Sequence, residues 1–369
     1  MKRLILAILM ASTVVGTVTG AHAQSNVQLY GLLDTGVEYL THATPQGGTV
    51  VRVPTNTATL PSRWGMRGTE DLGDGLQALW TLESGFALNN GTSAQGGRLF
   101  GRQSFVGLGG KWGTITIGRQ YGMTYLSLLD SDVIGPAIYS MGSYDSFIPN
   151  PRNDNSLAYK GVFNGLTVGV EYSTGRDATS CAGQTAGNFL ACREISAMLK
   201  YNAAKWGAAM AFDEQRGGTG SAQAMIAPTA NYAMTSASSR DRRLVANGYF
   251  VLGPVKVGGG WIGRWIRSDV TSVSSNLFYL GASYAVSVPL QVDAQVVYYN
   301  SKDASVHSVM YVARATYSLS KRTAAYVQTG FLTNGAQSNF SVSGATVVPA
   351  SPAMGGNQLG VMMGVRHTF

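Results

Sequence analysis

From Val27 onward the chain alternates apolar and polar residues with a period of two. Val27, Leu29, Leu33, Val37 and Tyr39 share one face, and Gln28, Tyr30, Asp34 and Glu38 share the other. That is the period of a β-strand whose two sides meet different surroundings. The rhythm returns along the chain. Trp64 and Met66 oppose Arg63 and Arg67, Ala78, Trp80 and Leu82 oppose Gln77, Thr81 and Glu83, and Trp261 and Trp265 oppose Lys256 and Arg264. Read in this way the sequence predicts sixteen strands, the last ending on Leu359, Val361, Met363, Val365 and Phe369. Short turns such as GGKWG, Ala203–Lys205 and Gly253-Pro254 alternate with long loops such as 89–97, 214–240 and 334–356. An even strand count with short and long connections at alternate ends predicts an all-β fold, a 16-stranded antiparallel transmembrane β-barrel. A barrel of about that size leaves an aqueous channel rather than a packed core. Soluble β-domains have no reason to sort loop lengths in this way.

One stretch interrupts the alternation. Tyr121–Lys160 carries Asp130, Asp132, Asp145 and Asp154, with prolines at 136, 149 and 151. Long loops without regular structure are uncommon and usually functional. Its place after the fifth strand makes it the third long loop, predicted to fold into the bore over about 121–154, with 155–160 starting the sixth strand.

Composition sharpens this picture. Charged residues are 12% of the chain, against 47 glycines and 18 tyrosines in 369 residues. Soluble proteins carry about 25% charged residues. Lys2 and Arg3 precede an apolar run and Ala21-His22-Ala23, so residues 1–23 read as an export signal and 24–369 as a single barrel domain. The 27 basic and 19 acidic residues give +8, or +6 without Lys2 and Arg3. The arginines are scattered singly along strands with no dense basic run, which suits a basic lumen attracting anions and excludes nucleic acid as the expected partner. In an exported chain Cys181 and Cys192 are expected to form one disulfide, with neither metal nor cofactor bound.

The segments SNVQLYGLLDTGVEY, SRWGMRGTEDLGDGLQALWTLESGF, RQSFVGLGGKWGTITIGRQYG, RNDNSLAYKG and the terminal GVRHTF together resemble the general trimeric porins of Gram-negative outer membranes, in particular the betaproteobacterial and neisserial type. The resemblance implies an outer-membrane homotrimer in contact with lipid and lipopolysaccharide. It implies passive diffusion of small anions and hydrophilic solutes, and a terminal Phe369 read by the barrel assembly machinery. It also places arginines on the wall opposite acids on the inward loop.

The wall candidates are Arg63, Arg67 and Arg102, with Arg152 where the loop rejoins the wall; Arg119 shares the parity of Ile115 and Ile117 and is expected at a bend or beyond the apolar band. An arginine facing lipid near the midplane costs about 2–4 kcal/mol, so the parity of Arg63 and Arg67 points inward. Arg102, opposite Gln103 and Phe105 in the pleat, is assigned inward too. Facing these arginines, Asp130, Asp132 and Asp145 are the expected loop acids, with Asp34 and Glu83 as lumen partners of arginines and Lys256 and Arg264 on the lumen face away from the constriction. Rival readings are a sugar- or organic-anion-specific channel using Tyr121, Tyr125, Tyr139 and Tyr144, and an adhesin or receptor built on the long loops. An enzyme is not expected, since His42 and His307 fall in predicted loops, His367 in the terminal tail, and no serine has a nucleophile motif.

Overall fold

The computed structural model describes residues 26–136, 138–221, 224–228, 230–344 and 350–369, so the export signal expected at 1–23 lies outside the described residues. Among the described residues the main sheet has 17 strands, one of which, Val50–Arg52, only covers the end of the first. The other sixteen form the barrel: β1 Asn26–Leu40, β2 Arg63–Gly73, β3 Leu76–Gly85, β4 Gln103–Gly110, β5 Gly113–Tyr121, β6 Arg152–Phe163, β7 Leu166–Ser173 and β8 Glu194–Asn202, followed by β9 Trp206–Arg216, β10 Arg240–Leu252, β11 Val255–Arg267, β12 Ser272–Ala285, β13 Leu290–Ser301, β14 Val306–Ser318, β15 Thr323–Asn334 and β16 Gln358–Thr368. Each pairs antiparallel with its neighbours in sequence, and β1 closes on β16 from Leu32–Thr368 to Leu40–Gly360. No helix among the described residues is long and apolar enough to cross a membrane; strands cross it instead. Closure is what permits this, because hydrocarbon offers nothing to an unpaired N–H or C=O.

The expected faces hold. Val27, Leu29, Val37, Tyr39, Leu199, Tyr201, Leu280, Tyr298, Tyr311 and Trp265 are exposed on the outside of the wall, while Asp34, Glu38, Glu83, Arg264 and Asp293 are buried on the inside. At the seam the Phe369 main chain exchanges hydrogen bonds with Gly31, at 3.0 and 3.1 Å. The Phe369 ring lies where a Cβ at position 31 would stand, so a larger residue there would have to displace the ring. One histidine departs from expectation: His307 lies within β14 rather than in a loop.

The third loop runs from Gly122 to Pro151, shorter than expected because β6 begins at Arg152. It opens with a helix, α1 (Met123–Leu128), which packs chiefly on β8 and β9. Beyond it the loop follows the inner face of the barrel. Ser131 contacts Gly258 of β11, Val133 contacts Gly281 of β12, and the Tyr139 ring covers Gly330 of β15 and Gly360 of β16. At each of these inward positions a Cβ would come within 3.0 Å of the loop, so the glycines form a seat for it: for the Ser131 backbone at Gly258 and for the Val133 and Tyr139 side chains at the other three. Cys181 and Cys192 are joined in the fourth long loop, as expected.

Candidate functional site: the arginine wall and the third loop

With the loop laid along β7 to β16, the arginines expected on the wall come from the opposite side of the barrel, β2 to β6. Arg63 and Arg67 project inward from β2, paired in register with Leu32 and Gln28. Arg67 donates two hydrogen bonds to the Gln28 amide oxygen, at 2.9 and 2.8 Å, and lies over the Tyr30 ring. Arg102 is buried, donating to Glu83 at 2.7 Å and to the Tyr121 hydroxyl at 2.5 Å. Gln103 and Phe105 face inward with Glu83 and Thr81, so strict pleat parity would send Arg102 outward. Arg102 precedes β4, and the irregular backbone there frees it from that parity.

Arg119 shows what a bulge does. It pairs with Ser104 at a lipid-side position, but the register between β5 and β6 shifts at Gly118/Gln120, with Asn155 at φ 50. An extra residue in one strand bends it and re-aims side chains. Arg119 accordingly turns to Asp154 at 2.7 Å and to the Gly101 carbonyl. Arg152, the first residue of β6, donates to Tyr121 at 2.7 Å and to the Asn150 side chain at 3.1 Å. The Tyr121 oxygen thus accepts from two guanidinium groups, and its ring stacks on Tyr125 at 4.4 Å.

The loop acids do not meet these arginines, contrary to expectation. Asp130 pairs with Lys200 of β8. Asp132 accepts from Gln295 of β13 at 2.9 Å. Asp145 pairs with Arg243 of β10 at 2.9 Å and with Arg264 of β11 at 3.3 Å. Burial alone would push the Asp145 carboxyl up, but Arg243 and then Arg264 pull it down to about 2. The physical reason is proximity: the loop hugs the far wall, so its acids turn outward into it. Arg264 therefore anchors the loop, with Asp241 as its second carboxylate at 2.7 Å. Lys256 faces inward as expected, over the Tyr249 ring. Among the described residues Asp34 has no arginine partner, contrary to expectation; it accepts from Tyr326 at 2.7 Å and from Thr59 and Leu60, holding the first long loop. Glu83 does pair with an arginine, Arg102.

Several contributors were not anticipated. Arg98 bridges Asp154 and Asp177 at 3.0 and 3.1 Å, drawing the second and fourth loops together. Arg314 donates to the Ile134 and Val133 carbonyls and to Asp293, and Tyr139 donates to Glu38, which also holds Arg52. The parity of Arg243 and Arg314 was readable from the sequence; their loop partners were not. The tyrosine ladder of the rival sugar-channel reading does not form: Tyr139 and Tyr144 are buried, with Tyr144 stacked on Tyr299, and Tyr121 stacks on Tyr125. A chamber of about 480 Å³ lies against this region, lined by Arg98, Arg119 and Arg152 with Asp177, Pro149 and Gly142.

A closed wall with one charged side left open in its bore is the architecture of a diffusion channel, and the sequence agrees. The family described as Gram-negative porin matches residues 11–337. The chain is a Gram-negative porin. It is similar to an outer membrane porin protein of Bordetella pertussis, 29% identical over 376 residues, covering 90% of this chain and 95% of the relative. Among solved structures it is similar to an anion-selective porin from Comamonas acidovorans, with a TM-score of 0.76 at 24% identity over 94% of this chain and all of the other. It also matches the trimer form of an outer membrane protein of Vibrio cholerae, with a TM-score of 0.64 at 13% identity over 94% and 99% of the two chains. The porin is an outer-membrane protein, and its relatives are channels rather than enzymes.

Proposed function

We propose that this porin is a general diffusion channel with a preference for anions, its constriction bounded by the β2–β6 arginines on one side and the third loop on the other. The observation that carries this is the imbalance of charge closure. On the arginine side, Arg98, Arg102 and Arg119 have carboxylate partners in Asp154, Asp177 and Glu83. Arg63, Arg67 and Arg152 have none within ion-pair distance among the described residues. The loop brings no acid to them, since Asp130 and Asp145 are spent on Lys200, Arg243 and Arg264. Fixed charge of one sign in a narrow polar bore lowers the energy of the opposite ion and sets selectivity. No covalent step is involved, and neither enzyme activity nor a cofactor belongs to this reading. The anion selectivity of the Comamonas acidovorans structure and the trimer form of the Vibrio cholerae structure support the same properties here, including a homotrimer. Residues 1–23 act as the export signal, residues 24–369 form the barrel domain, and the terminal Phe369 serves its assembly.

The deciding experiment is a planar bilayer with a tenfold potassium chloride gradient. A reversal potential of the sign set by chloride is expected. A potential near zero, or one set by potassium, overturns the anion preference while leaving the channel intact. Absence of conductance steps overturns both.

A further inference from the structure

The bore does not account for a second group of arginines, which faces away from it. At the long-loop ends of β9, β10 and β11 the outward positions are Glu214, Arg216, Arg240, Arg242, Trp265 and Arg267. Strand register sorts them into two rows. Glu214, Arg242, Trp265 and Ser274 stand side by side in one; Arg216, Arg240, Arg267 and Ser272 stand in the next. Neighbouring strands are about 4.8 Å apart, so the second row sets three guanidinium groups next to one another. Like charges directly opposite across strands repel. Glu214 is the carboxylate between the rows, and it already serves Arg216 at 3.0 Å and Arg242 at 2.6 Å. Arg240 and Arg267 have no ion-pair partner among the described residues, and the Arg240 Nε is buried without a hydrogen-bond acceptor. One residue further along each strand the arrangement is the reverse: Arg243 and Arg264 point into the barrel and are closed by Asp145 and Asp241.

Depth narrows the identity of the missing anion. Trp265 is exposed on the lipid-facing wall, and barrel aromatics of this kind sit at the headgroup level. Arg242 is level with Trp265, and Arg240 and Arg267 lie one outward-facing step beyond. Lipid-facing arginine becomes tolerable only near the interface. A cavity of about 360 Å³ is lined there by Arg240, Arg242, Arg267, Trp265, Ser274 and Asp303. Asp303 is occupied, accepting from the Ser274 backbone and hydroxyl at 2.7 and 2.8 Å.

We propose that this cavity holds the phosphorylated headgroup of an outer-leaflet lipid, with phosphate on Arg240 and Arg267 and an acyl chain descending past Trp265. Guanidinium forks match phosphate oxygens two at a time, and the phosphate removes the repulsion within the row. The site opens onto the membrane-facing wall and not the bore, where the anion at hand is a lipid headgroup rather than a free solute.

The test uses full-length mature porin refolded in detergent without lipid. Lipopolysaccharide and its enzymatically dephosphorylated form are titrated in, and binding is read by native mass spectrometry and tryptophan fluorescence. The intact form is expected to bind the wild type at least about tenfold more tightly, as the loss of charge-assisted hydrogen bonds to two arginines predicts. The R240S/R267S double variant is expected to bind both forms equally weakly, with unchanged single-channel conductance, whereas the lumen variant R67S binds like the wild type. Equal affinity of the wild type for the two forms overturns the proposal without need of any variant. Wild-type affinity in R240S/R267S overturns it as well, as does displacement by equimolar inorganic phosphate, which would make the cavity a free-anion site.

Discussion

Two of the arginine-bearing stretches of the inner wall are finished in opposite ways. On β10 and β11, Arg243 and Arg264 are enclosed by Asp145 and Asp241, four charges in mutual contact behind the third loop. On β2 to β6 the cations outnumber their carboxylates, and among the described residues Arg63, Arg67 and Arg152 have no carboxylate within ion-pair distance. The first arrangement fixes a loop; the second leaves a field in water. The same residue type therefore acts as a fastener or as a selectivity element, according to whether an acid reaches it.

The comparison breaks most visibly if the open arginines are removed. One unit charge about 6 Å from a passing ion in water is worth about 0.7 kcal/mol, or about threefold in relative permeability. Replacing Arg63, Arg67 and Arg152 together with serine should lower the anion-to-cation permeability ratio about 30-fold at low ionic strength, read from the reversal potential, and screening should shrink the effect at 1 M salt.

Opening the fastened side acts differently. Asp145→Asn leaves Arg243 and Arg264 with Asp241 alone, and breaking a buried pair costs about 3–5 kcal/mol. The expected result is a mobile loop, seen as noisy conductance and as proteolysis between 138 and 150, with the sign of selectivity unchanged. A reversed sign would place Asp145 among the permeation charges.

Acid offers the same break without mutation. The Asp145 carboxyl is held below its ordinary value, at about 2. A group depressed in the folded state contributes stability above its unfolded value, about 3.9, and loses it as pH falls through the folded one. The anchor should therefore survive at pH 4 and fail as pH approaches 2, in the same noise measurement; Asp145→Asn should show no such onset.

Smaller effects rank the acids. Asp177 lines the chamber beside Arg119 and Arg152, so Asp177→Asn should raise anion preference, by up to about threefold. Asp132, turned to Gln295, should change it by less than about twofold when made asparagine. The smallest change in permeation is expected from Cys181→Ser. Opening a loop of that size removes about 3 kcal/mol of chain restraint, visible in thermal stability rather than in reversal potential.

The barrel was legible in the sequence because every strand repeats one local rule. The inside and outside of β1 follow from alternate residues, and the turns between strands announce themselves by composition. The third loop was legible as a lapse in that rule. Its partners were not, because they depend on where a 30-residue excursion lands: Asp145 meets Arg243 across 98 residues of sequence, and Asp132 meets Gln295 across 163. Loop and wall were expected to face one another across the bore, but the loop lies against one wall with its acids behind it. A signal for this was present. Gly258, Gly281, Gly330 and Gly360 occupy inward positions on β11, β12, β15 and β16, where a side chain would otherwise fill the lumen. Arg102 and Arg119 escaped parity for a related reason, one preceding its strand and the other sitting at a bulge.

Those four glycines also separate the gauge of the channel from its strand number. Strand number and tilt set the diameter of the tube, but the free aperture is whatever the loop leaves, and the loop stands as far back as its seat allows. A methyl group added at Gly258 would come within 2.1 Å of the Ser131 carbonyl oxygen and push that segment toward the arginines. A lineage of such channels could thus calibrate its cut-off size one small side chain at a time, with barrel, charge and export machinery untouched.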